Sequence, residues 1–140
     1  MIAGIRYGQS EAYLLLGDLK QAEKATAESQ SLFEQVGDKS RAVRIFAQLG
    51  KIREKEGRLM EAKDAYRQGL EQSRALDRKD EVLRNSLGLA RIAQAENQWS
   101  VAKKFLASVK ALQKTTPLVF EVDGLEKQIS EIERRQLRGR

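Results

Sequence analysis

Residues 57–70, GRLMEAKDAYRQGL, decide the fold. Gly57 ends one helix, because a residue without Cβ takes a positive φ at little cost. Leu59, Ala62, Tyr66, Gly69 and Leu70 follow at three- and four-residue steps, the spacing of one helical face. Small Ala62 and Gly69 flank Tyr66 on that face, so a second helix can come close and receive the ring. The design recurs at intervals of 40 residues: Gly17-Asp18-Leu19 leads to Ala22, and Asn97-Gln98-Trp99 leads to Ala102. Three helical units in register predict an array whose units stack on one another.

The composition agrees with a helical array. The 140 residues fit one domain of ordinary size, spanning 1–140. An apolar share of 41% against 33% charged residues predicts a soluble helical protein with a thin, continuous core. No apolar run approaches the ~18 residues of a membrane span. No basic region followed by a long apolar core marks a signal peptide. A cytoplasmic protein without membrane contact is expected. The chain has no cysteine, which excludes disulfides and thiolate metal sites. It also has no histidine, which removes the commonest general base, metal ligand and physiological pH switch. The formal charge of +6 is basic but mixed in sign, which favours an acidic partner without naming one.

Outward from Gly57, the periodicity predicts six paired helices. The first covers about 1–16 and the second runs from Leu19 to about Val36, with Asp18 and Gln21 at capping-box spacing. Ser40 is the expected N-cap of the third, which buries Val43, Ile45, Phe46, Leu49 and Ile52. The fourth covers 59–76, and a turn at Asp77–Lys79 leads to a fifth capped by Asp80. The sixth uses Trp99, Ala102, Phe105, Leu106, Val109 and Leu112. The repeats thus fall at about 1–37, 38–77 and 78–115. Thr115-Thr116-Pro117 reads as the start of a capping helix over about 117–136, with Leu118, Val122, Leu125, Ile129 and Ile132 on one side.

These residues resemble a tetratricopeptide (TPR) array. The usual repeat of about 34 residues has a Leu-Gly pair in its first helix and Ala, an aromatic and a small residue in its second. Leu49-Gly50, Gly57, Ala62, Tyr66 and Gly69 match that pattern; Leu89-Ala90, Asn97, Ala102 and Leu106 match it more loosely. In the first copy Tyr13, Gly17, Ala22 and Ser29 fit, while Ser10 and Thr26 are substitutes. The 40-residue period is similar to the long-helix type in kinesin light chains, spindle-orientation adaptors and bacterial signalling and transcription regulators. The resemblance covers nearly the whole chain. It implies an all-α, right-handed superhelical solenoid of three helix pairs plus a capping helix.

The resemblance also implies that the first helix of each pair lines an inner groove. Carried over, the groove positions are Arg44, Ala47, Lys51, Glu54 and Lys55, then Arg84, Leu87, Arg91, Gln94 and Ala95, with Tyr7, Glu11 and Leu14 from the first copy. Arg44, Lys51, Lys55, Arg84 and Arg91 make this face basic and suit an acidic or extended peptide. Ala47 is expected to be exposed there. The Lys/Asn set of chaperone-binding TPRs is incomplete. The expected function is a non-catalytic protein-interaction module, part of a larger regulator or scaffold. Two alternatives stay open. Leu14 and Leu15 stand where the second copy has Glu54 and Lys55, so they are candidates for self-association, or for packing in a longer array. The basic tail from Arg134 is a candidate for nonspecific phosphate contact, but no aromatic residue is interleaved with it in sequence and nucleic-acid reading is not expected. No cofactor, metal or catalytic residue is expected: Glu54 and Glu56, or Glu131 and Glu133, are two residues apart and diverge on a helix. Trp99 reads as core.

Overall fold

A computed structural model describes residues 2–115 and 125–138. Their secondary structure is entirely helical. The elements are α1 (Ile2–Leu15), α2 (Leu19–Val36), α3 (Lys39–Ala42), α4 (Arg44–Lys55), α5 (Leu59–Ala75), α6 (Lys79–Ala95), α7 (Trp99–Thr115) and α8 (Leu125–Arg138). Val43, at φ −60° and ψ −23°, joins α3 to α4 with tightened but still helical geometry. The two are one helix, so the described residues form seven helices. The expected helix start at Thr116-Pro117, with Leu118 and Val122, lies outside the described residues.

The turns explain the cadence. Positive φ falls at Gly17, Gly37, Gly57, Asp77 and Asn97, one position every 20 residues. The residue after each donates its amide to a carbonyl five residues back: Asp18 to Tyr13, Asp38 to Phe33, Arg58 to Arg53, Arg78 to Ser73 and Gln98 to Ala93. That bond closes the last helical turn around a left-handed residue. Asp and Asn tolerate the conformation better than other side chains do. Each helix therefore restarts two residues after its left-handed stop, with the residue between as its cap position. This corrects two expected caps. Asp38, not Ser40, caps the third helix, accepting from the Arg41 amide at 3.0 Å. Arg78, not Asp80, precedes α6, and Asp80 lies in the first turn paired with Arg78 at 3.1 Å. Asp18 accepts from the Gln21 amide at 3.2 Å, as its spacing predicts.

Helix α1 packs on α2, α4 on α5 and α6 on α7. Between pairs, α4 meets α1 and α2, and α6 meets α4 and α5. Helix α8 meets α6 and α7, the place a further first helix would take, and buries Ile129 and Ile132.

The central joint is a wedge. Tyr66 of α5 is fully buried between α4 and α6. A Cβ added at Gly50 would stand 2.5 Å from the ring, and one at Gly88 would meet it still closer. The ring thus lies between the second and third first-helices, as expected. Gly69, however, faces Asn85 and Phe46 instead of the ring. One period earlier the same joint is filled differently. Thr26 stands for Tyr66, and its hydroxyl hydrogen-bonds Ser10, which stands for Gly50. Gln48, standing for Gly88, donates to Ser10 Oγ at 3.0 Å. A large ring between two glycines is exchanged for a smaller side chain between two residues that carry polar side chains of their own. One period later Leu106 lies in a core cluster with Ala90.

The assignment of Ala47 to an open face is wrong: it is 1% exposed. Leu87, which the apolar periodicity of its helix places in the core, is buried as well. A middle helix packs on its own partner and on both neighbouring units, so little of its surface stays open.

Tyr66→Ala should cost about 3–5 kcal/mol. Gly88→Ala should cost about 1–3 kcal/mol by overpacking in the natural chain, yet little in a Tyr66→Leu background. Urea unfolding of the four forms measures the coupling. An equal cost in both backgrounds would show that the ring is not in this slot.

Candidate functional site

Helices α1, α4, α6 and α8 lie side by side, and two polar clusters cross this layer. The first joins α1, α4 and α6. The Arg44 guanidinium stands 4.7 Å above the Tyr7 ring, a cation–π distance. Its Nε is 3.9 Å from Glu81 Oε1, the oxygen that accepts a hydrogen bond from Arg84 Nη1. Arg84 is also 3.7 Å from Asp80. Glu81 is fully buried, and burial raises its carboxyl above the ordinary range although Arg84 and Arg44 oppose the shift. Glu81 Oε2 and Arg44 Nε are buried without a hydrogen-bond partner among the described residues.

The second cluster ties four helices. Arg91 of α6 grips Glu54 of α4 with two bonds, Nη2 to Oε1 at 2.9 Å and Nε to Oε2 at 3.2 Å. Tyr66 extends through the joint from α5 and donates its hydroxyl to Glu54 Oε1 at 2.6 Å. Arg91 Nη1 donates to Gln128 of α8 at 2.7 Å. Burial and the Glu54 charge raise the Tyr66 hydroxyl well above its ordinary value. Burial, then the Glu81 and Glu11 charges, raise that of Tyr7.

Arg44, Arg84 and Arg91 thus stand on one layer, as the carry-over implies, but each faces a carboxylate of the same chain. Lys51 is half-buried and Lys55 exposed. A readable feature underlies these pairs. Arg44 and Glu81, Glu54 and Arg91, and Arg91 and Gln128 are each separated by 37 residues, one period less a helical step. Opposite charges at that interval mark neighbours across adjacent first helices. Glu54 and Glu56 do diverge: Glu56 accepts from Arg53 at 2.7 Å instead. Among the described residues, no group of three or more Asp or Glu side chains is placed to hold a metal ion.

The apolar face of α1 also differs from expectation. Leu15 is 89% exposed, but Leu14 is half-buried. Ile2 and Ile5 are exposed at the start of the helix, and Leu15 with the adjoining Leu16 at its end. The helix register, not the count of apolar residues, selects these four.

The chain matches no family model, no curated protein and no solved structure. No helix among the described residues is long and apolar enough to cross a membrane.

Tyr7 and Tyr66 hold their protons more tightly folded than unfolded. Their contribution to stability is complete below about pH 10 and is lost as pH rises beyond it. The Tyr7→Phe, Tyr66→Phe double variant should therefore lose less stability than the natural chain between about pH 8 and about pH 11. Urea midpoints at the two pH values decide it. Identical declines would remove these tyrosines as the cause.

Proposed function

We propose that the chain is a non-catalytic protein-interaction module of the tetratricopeptide type, a right-handed superhelix that serves within a larger regulator or scaffold. Its first helices face inward and bind an acidic or extended peptide. The observation that carries the reading is the layer itself. Helices α1, α4, α6 and α8 touch in succession, whereas α2, α5 and α7 touch one another slightly or not at all. In a curved stack the crowded layer is the inner one. Lys55, exposed and in no ion pair among the described residues, is the cation on this face most open to a partner. Calorimetry with a Glu-rich peptide tests the reading. Binding should weaken between about 50 and about 500 mM salt, and again in Lys51→Glu, Lys55→Glu. Salt-independent binding would refute the electrostatic part.

A second reading has its own observation. Ile2, Ile5, Leu15 and Leu16, at the two ends of α1, are 63%, 59%, 89% and 80% exposed. Exposed apolar surface marks interaction sites, and a second copy is the occupant this reading assigns. Sedimentation velocity should show concentration-dependent association that Ile5→Lys with Leu16→Glu abolishes without loss of helix. A chain monomeric at high concentration would end this alternative.

A further inference from the structure

Three arginines stand close together on the last helix, at one end of the layer. Arg134, Arg135 and Arg138 of α8 are exposed and enter no ion pair among the described residues. Arg135 and Arg138, three residues apart, share one side of the helix. With Gln94, Ala95 and Trp99 they line a cavity of about 350 Å³ where α8 meets the turn between α6 and α7.

The cavity wall is fixed by hydrogen bonds. Gln94 Nε2 donates to the Ile132 carbonyl at 2.8 Å and to Gln136 Oε1 at 3.0 Å. Gln136 Nε2 in turn donates to the Trp99 carbonyl at 3.1 Å. Both acceptors of Gln94 are oxygens, so its amide cannot be turned over. Its Oε1 is therefore left as a buried acceptor with no donor among the described residues, in a residue only 4% exposed. Buried polar atoms in folded proteins nearly always find a partner.

We propose that this cavity is a peptide subsite for an acidic side chain next to an apolar one. The proposal rests on the interaction-module reading and adds a second anion-binding position, at the end of the layer, to that at Lys51 and Lys55. An acidic peptide supplies both complements at once. A carboxylate meets Arg135 and Arg138, and an apolar side chain lies against Trp99 and Ala95. A polyanion fits less well. Glu131 lines the adjoining cavity with Arg134, Arg135 and Arg138, and carboxylates among the arginines interrupt the continuous basic track a nucleic-acid backbone needs.

Trp99 is the only tryptophan, so its fluorescence reports this site alone. The probes are a blocked peptide of alternating Glu and Leu, its Gln–Leu counterpart, and oligothymidylate. The Glu–Leu peptide should change Trp99 fluorescence saturably, and Arg135→Gln with Arg138→Gln should weaken it about tenfold or more. Both arginines are exposed, so the variant keeps its fold, which circular dichroism verifies. If calorimetry detects the acidic peptide but neither Trp99 fluorescence nor the double variant responds, the subsite is wrong while the module reading stands. If calorimetry detects no acidic peptide at all, the acidic-peptide reading itself falls. Tighter binding of oligothymidylate, or equal binding of the Gln–Leu peptide, overturns the assigned ligand class.

Discussion

Close approach of α4 to α6 is the constraint on which the rest depends. Two first helices can meet over the Tyr66 ring only where both lack a Cβ, at Gly50 and Gly88. Once seated, the ring fixes more than spacing. Its hydroxyl emerges beside Glu54 and Arg91, so an apolar wedge is locked at its tip by a charge-assisted contact. Arg91 then reaches Gln128, and the position of α8 follows from the same chain of contacts. Packing and polar satisfaction are the same device at this joint.

Much of this was legible in the sequence, for a physical reason. Small–large–small spacing around Tyr66 is dictated by close helix contact, and the 40-residue recurrence is dictated by stacking. Glycine stops at 17, 37 and 57 announce themselves because few other residues take a positive φ. Asp77 and Asn97 do the same work with less conspicuous residues. The two expected caps fell two residues late because Ser40 and Asp80 are good capping types one period apart, whereas the residue directly after each stop, Asp38 or Arg78, is the cap. Ala47 was misplaced because one buried face was expected of each helix, whereas a middle helix has contacts on three sides.

Electrostatics at the candidate site were harder to read. The basic residues were visible one by one, but their partners lie on other helices. Arg44 and Arg91 look free until the layer is assembled and Glu81 and Glu54 arrive from the adjacent unit. Trp99 shows the converse. Remote from the arginine-rich tail in sequence, it shares a cavity with Arg135 and Arg138. A charge census therefore overstates the middle of the layer and understates its end.

The left-handed stops give the array tolerance to error. Adding one residue within a helix rotates everything beyond it by about 100°. Here the ladder is broken and restarted every 20 residues, so the lost phase stays within the affected helix. The next helix begins from its own cap with its apolar side correctly aimed. Copying mistakes in length are thereby confined to single helices, and units can be gained or lost without the survivors losing register.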